Sequence, residues 1–334
     1  MFNKIIMIKK GLKINSLIAT IFILSISIIP QVSNAEVSRE QLSVEFVNDF
    51  VLEPAKNEVF LDPNSTATKT ISVINRIDKI VTFQIDIEDV VGSENPSEQV
   101  KLLGEEKSPY SLKNFLIPEI TEFTLNPGEK ITIPVKVELP ADSEPRGYYG
   151  AIIVSAKGAE TGLGDEAFVK GVTKLVTRVG SIFLVRVNGD LKESSHLWDF
   201  KALGPVKKFY STHPKGFEVA IKNDGNVHLV HYGEIKIKNI FGRQIANIPL
   251  NAFFSLPDSV RYREVNWPAS FSFGFYKAEI ELYQGFGKDA GFLNSEISFF
   301  VIPWTILALL ILVSAIIYGL IRLFKNNFKI ERKK

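Results

Sequence analysis

The chain has 334 residues, 46% of them hydrophobic, with 39 Lys and Arg against 37 Asp and Glu, and no cysteine. Setting aside the four lysines of an N-terminal leader and the six basic and one acidic residues of a C-terminal tail leaves 29 basic against 36 acidic residues between them, a net charge of about −7. That balance argues against a nucleic-acid binder, which needs clustered Lys and Arg to neutralise phosphate. The lack of cysteine removes disulfide staples and thiolate chemistry, so an exported fold must rest on sizeable apolar cores.

Lys4, Lys9, Lys10 and Lys13 precede an apolar run over residues 17–29, Pro30 ends it, and Ser33-Asn34-Ala35 offers small residues where a signal peptidase reads. Residues 1–35 read as a cleaved secretory signal. The alternative, an uncleaved anchor, fits less well because the apolar run is short for a bilayer.

From residue 36 to 298 the apolar residues alternate with period two, the pattern of half-buried strands. Val44, Phe46 and Val47 open the pattern, and residues 70–75 and 80–87 continue it with β-branched and aromatic side chains. A short helical turn is expected over residues 111–115, capped by Ser111.

Further on, Ile131, Ile133, Val135, Val137 and Leu139 share one face of a strand, with Thr132, Pro134, Lys136 and Glu138 on the other. Proline lacks the N–H a ladder needs, so Pro134 predicts an exposed edge strand. Two readings stay open: Pro134 with Lys136 and Glu138 guards the edge against pairing with other chains, or the rest of that edge accepts a partner strand.

Tyr148 and Tyr149 follow in "PRGYYGAIIV"; being adjacent, one faces the core and the other faces out. The outward tyrosine either covers its own sheet or offers a rigid contact to a sugar or protein. The loop "GAETGLGD", residues 158–165, has no Lys-Ser/Thr after its glycines and so is no phosphate cradle.

Turn residues Asn188-Gly189-Asp190 place a boundary between a first domain at 36–190 and a second at 191–298. A faint echo links the halves. Residues 147–153 and 274–280 share the pattern G-aromatic-Y-x-A-x-I, and residues 72–76 loosely resemble 219–223, so each half is expected to place an Asn-terminated strand early and a Gly-Tyr strand late. Trp267 is expected in the second core or on its rim. His228 and His231 stand three apart, which on a strand puts them on opposite faces and argues against joint metal chelation.

Residues 299–321 carry no formal charge and are long enough to cross a bilayer as a helix. Trp304 and Tyr318 fall at the two interfaces, and Arg322 opens a basic tail, residues 322–334, that stays cytoplasmic while the remainder faces outward. The expected fold is therefore all-β, two tandem immunoglobulin-like β-sandwiches followed by one transmembrane helix.

The stretch "SPYSLKNFLIPEITEFTLNPGEKITIPVKVELPADSEPRGYYGAIIV" resembles the first ectodomain of the WxL-interacting protein family of bacterial surface proteins. It shares an insertion with S-L-x-N-aromatic, then L-x-P-G-E, an alternating strand and a G-Y-x-G-x-I-x-V strand. "KNDGNVHLVHYGEIKIKNIFG", "LPDSVRYREVNWP" and "FGFYKAEIEL" are similar in pattern to the second domain of such proteins. The resemblance implies binding of cell-wall polymer (peptidoglycan) by the first domain and of surface or matrix proteins by the second. The expected function is a non-enzymatic, membrane-anchored tether at the cell surface, without cofactor or metal. The alternative is a chaperone-like assembly factor that uses an exposed edge strand to hold exported subunits. Pro134, Lys136, Glu138, Tyr148 and Tyr149 are the candidate binding surface.

Overall fold

The structure, a computed structural model, describes residues 36–93, 95, 97–157, 177–205, 207–268, 273–285 and 291–327. The leader, the glycine loop at 158–165 and the end of the basic tail lie outside the described residues. What is described is all-β apart from one C-terminal α-helix and a single 3₁₀ turn.

The first sandwich comprises β1 (Ser38–Gln41), β2 (Phe50–Glu53), β3 (Lys56–Leu61), β4 (Thr66–Asn75), β5 (Val81–Gly92), β6 (Val100–Leu102), β7 (Leu116–Pro118), β8 (Glu122–Leu125), β9 (Glu129–Glu138), β10 (Gly147–Lys157) and β11 (Arg178–Val187). One sheet runs β1-β9-β4-β2 with β7 also on β9; the other runs β3-β11-β10-β5-β6 with β8 also on β5. The alternation in the sequence explains the core: Ile71 and Val73 of β4, Phe83 of β5, Ile131, Ile133, Val135 and Val137 of β9 and Phe183 of β11 all point inward. The strand expected at residues 44–47 does not form. Asn48 adopts a left-handed φ of 57°, which breaks extension, and Phe46 and Val47 are exposed.

The 3₁₀ turn forms at Lys113–Phe115, but Ser111 does not cap it. Asp89 of β5 does: its Oδ1 accepts the N–H groups of Leu112 and Lys113 at 3.0 and 2.9 Å, and its Oδ2 that of Ser108 at 3.3 Å. A cap supplied from a distant strand leaves no local signal.

The strand carrying Pro134 is not an edge. β9 pairs along its length with β4, and its other side is shared between β1, facing residues 129–132, and β7, facing residues 135–137. Pro134 falls where the one partner stops and the other begins. Its carbonyl accepts Glu119 N–H at 2.9 Å, so its backbone points to the β1/β7 side, and the missing N–H removes nothing from the ladder to β4.

The second sandwich comprises β12 (Ser195–Ala202), β13 (Phe209–Tyr210), β14 (Gly216–Asn223), β15 (Leu229–Asn239), β16 (Gln244–Ser255), β17 (Val260–Asn266), β18 (Gly274–Gln284) and β19 (Gly291–Val301). Its sheets run β12-β14-β17 and β13-β19-β18-β15-β16. Trp267 is buried in its core, with rings of Phe217, Tyr276 and Phe299 5.9 to 6.3 Å apart around it.

Helix α1 spans Trp304–Asn327 and is long and apolar enough to cross a membrane. It begins later than the charge-free run suggested. Phe299 and Val301 are core residues of β19, and Pro303 starts the helix by accepting the N–H of Ile306 and Leu307. At the other end α1 passes Ile321, so Arg322 and Lys325 ride on its last turns.

Candidate functional site

The five residues proposed from the sequence do not form one surface. Pro134 is buried. Lys136 and Glu138 are exposed and paired with each other at 2.7 Å. Tyr148 is half-buried against the first core, and its hydroxyl donates to the Glu144 carbonyl at 3.2 Å.

Tyr149 is the tyrosine that turns away from its own core, yet it is only 1% exposed, because the second sandwich covers it. Its hydroxyl accepts the His228 N–H at 2.6 Å and lies 3.3 Å from His228 Nδ1. Gly147 is required beside it: a Cβ there would stand 1.8 Å from that hydroxyl. Around this contact Val90, Ala151, Ile153 and Leu184 meet Phe254 and Leu256 in a third apolar cluster. The rim is polar. Tyr110 donates to Asp258 at 3.0 Å, Arg146 lies 4.2 Å over the Tyr110 ring, and Gly147 N–H reaches the Asn226 carbonyl at 2.9 Å. Burial pushes the Tyr149 hydroxyl pKa up and lowers that of His228 to about 4, with Glu58 opposing and Arg186 and Lys56 reinforcing the shift on His228. His231 is buried separately, its Nε2 2.8 Å from Ser255 Oγ, and burial lowers it to about 4 too. The two histidines thus have unrelated partners. Among the described residues no group of three or more His, Asp or Glu is arranged to hold a metal.

A different surface has the geometry of a binding site. Tyr232 of β15, Tyr283 of β18 and Phe292 of β19 stand opposite one another across three strands, with ring centroids 5.6 and 5.5 Å apart. All three are substantially exposed, Phe292 to 50%. The ladder ends on β19, whose outer edge is open: among the described residues, only Phe300 and Val301 pair with β13 there. Phe300 donates its N–H to Lys208, away from β18, so by alternation the N–H and C=O groups of Phe292, Asn294, Glu296 and Ser298 also face the open edge. Beside them a recess of about 470 Å³ is lined by Phe292, Asn294 and Glu296 of β19 and by Glu279 and Glu281 of β18. Lys277 bridges to Glu296 at 2.5 Å.

Of the other edges of this sandwich, β17 is regular over its seven residues, while β12 and β16 are broken. β12 is bulged at Leu197/Asp199; β16 carries Pro249 and faces two register shifts. β19 is regular from Gly291 to Val301.

Sequence reasoning missed this ladder although its signal is present. Tyr283 has the strand parity of Lys277, Glu279 and Glu281, Phe292 that of Asn294, Glu296 and Ser298, and Tyr232 that of Glu234, Lys236 and Lys238. Three aromatics on solvent-facing parity at one end of three strands mark an exposed patch.

The fold and site thus define a two-sandwich all-β protein with one candidate membrane span and an open strand edge. No protein-family model and no curated protein matches the chain. Among solved structures it is similar to a chain of the CsuC–CsuE chaperone–tip subunit pre-assembly complex of Acinetobacter baumannii, at 11% identity and a TM-score of 0.38 over 73% of this chain and 98% of that one. It is also similar to the E. coli chaperone DraB, at 13% identity and TM-score 0.33 over 75% and 98%. A third likeness is to the Salmonella enterica SafA pilin–SafB chaperone complex, at 12% identity and TM-score 0.31 over 77% and 100%. At such identities and scores the likeness says nothing about what this chain binds.

Proposed function

We propose that the protein is a membrane-anchored, outward-facing binding protein that captures an extended segment of another exported polypeptide as an added strand on β19. The observation that carries this is the open row of backbone groups at Phe292, Asn294, Glu296 and Ser298 beside the aromatic ladder. Main-chain hydrogen bonds supply affinity in such pairing, and side chains at alternate positions supply choice. The partner strand is expected to carry an apolar or aromatic residue opposite Phe292 and a basic one opposite Glu296, following the pair preferences of antiparallel strands. This is the assembly-factor alternative of the sequence reading moved from β9 to β19.

The resemblance to WxL-interacting proteins makes a secreted surface protein the proposed partner. It also implies wall polymer as a ligand of the first sandwich, for which Tyr149, being buried, supplies no surface.

The test is selection of displayed extended peptides on the full chain, followed by binding to an Asn294→Pro variant. The proline removes one open-edge N–H and leaves the bonds to β18 in place. The reading requires that selected peptides follow the apolar and basic pattern and lose at least tenfold in affinity, about 1.4 kcal/mol. Peptides that bind the variant as well as the wild type contradict it.

A further inference from the structure

We infer that the helix-proximal end of the second sandwich is itself a membrane-docking surface, seated on the anionic headgroups of the bilayer that α1 crosses. The inference rests on the reading of α1 as a membrane span.

Register brings three segments to that end. Asn239 pairs with Tyr276 and Tyr276 with Phe299, so the β15–β16 hairpin tip, the start of β18 and the end of β19 lie level with one another; Phe209 joins them by pairing with Phe300. Each segment carries exposed apolar side chains, of which Phe209 also packs its ring against Phe300. Phe241 at the hairpin tip is 90% exposed and Ile240 67%, while Phe209 and Phe273 are 62% and 57% exposed. Gly242, with φ of 74°, makes the tight turn that projects Phe241. A grouped apolar display of this kind marks an interaction site.

Two observations select lipid as the occupant. The first is reach. Only Ile302 and Pro303 separate β19 from α1, and three Cα steps span about 11 Å at most. A helix crossing the bilayer therefore holds the end of β19, with which the hairpin tip is level, close to the interface. The second is charge. The described residues within 203–216, 239–246 and 266–276 include Lys207, Lys208, Lys215 and Arg243 and no Asp or Glu, although the chain between leader and tail is acidic. Aromatic side chains flanked by cations are the composition that seats on an anionic membrane surface.

The chain has no cysteine, so single cysteines can be introduced for labelling. Environment-sensitive fluorophores at Phe241→Cys, Asn294→Cys and Ser314→Cys in the full chain, reconstituted in vesicles of phosphatidylcholine with phosphatidylglycerol, report depth through nitroxide lipids. Expected is quenching at 241 by a shallow nitroxide, no quenching at 294, and quenching at 314 by a deep nitroxide. Lys208→Glu with Arg243→Glu, or vesicles of phosphatidylcholine alone, are expected to reduce quenching at 241 and leave 314 unchanged. A label at 241 that is unquenched, or blue-shifted without quenching as in contact with protein, while 314 is quenched, overturns the inference and leaves the span standing. An unquenched label at 314 overturns both.

Discussion

Tyr149 shows how one side chain joins two domains. Its hydroxyl partners His228 within the apolar cluster between the sandwiches, so Tyr149→Phe removes the hydrogen bond from the His228 N–H to that hydroxyl. A loss of about 1–3 kcal/mol is expected in urea unfolding, with the fold retained. Asn75 and Asn223 act similarly inside each sandwich. Each is fully buried, accepts the N–H two residues on and donates to the carbonyl four residues on, Asn75 through Ile77 and Lys79, Asn223 through Gly225 and Val227. The protonation of His228 and His231 sets an acid limit. Both are held neutral by burial with pKa values near 4, against about 6.5 in an unfolded chain, so unfolding takes up protons between those values. Stability is full above about pH 6.5 and falls as pH drops toward 4, by up to about 3 kcal/mol per histidine. Urea midpoints at pH 7.5 and 5 measure this, and the difference is expected to shrink in a His228→Gln, His231→Gln double variant. Pro134 marks what single residues reveal. Its lack of an N–H was legible as a gap in pairing, but the gap lies between β1 and β7, because partners more than ten residues away decide which strand is an edge.

At the scale of elements, strands were read well because their parity is local. The Gly-Tyr echo located two strands with equivalent neighbours, β10 between β5 and β11, and β18 between β15 and β19. What it did not reveal is facing. Tyr276, Ala278 and Ile280 fill their own core, whereas the matching Tyr149, Ala151 and Ile153 face the second sandwich. A one-residue change of register exchanges the faces of a strand, and nothing in the motif states which face is inward. The same parity makes β19 testable. Asn294→Pro takes a donor from the open edge and is expected to cost under about 1 kcal/mol; Ser295→Pro removes a bond to β18 and is expected to cost about 3 kcal/mol or more. Thermal unfolding of the two variants side by side measures the contrast, and equal losses contradict the assigned direction of these N–H groups.

In the molecule as a whole, the cluster of Tyr149, Leu184, Phe254 and Leu256 ties the two cores together, and a two-residue link ties the second sandwich to α1. Leu256→Ala is expected to cost about 2–5 kcal/mol and to separate one calorimetric transition into two, since the sandwiches then melt without mutual support. The all-β character and the apolar C-terminal helix were legible from composition and periodicity. The docking of one sandwich on the other was not, because it rests on residues such as Tyr149 and Leu256 that look like ordinary core residues in sequence. The same blindness hid the open edge, where among the described residues β13 pairs with two residues of β19. The most direct test is residue-resolved amide exchange of the full chain in lipid nanodiscs, alone and with a selected strand peptide. The account predicts that amides of Phe292, Asn294, Glu296 and Ser298 exchange fast in the free protein and become protected with peptide, while those of Leu293, Ser295 and Ile297 are protected throughout. Protection of the first set before peptide is added, or none after, would contradict capture at β19.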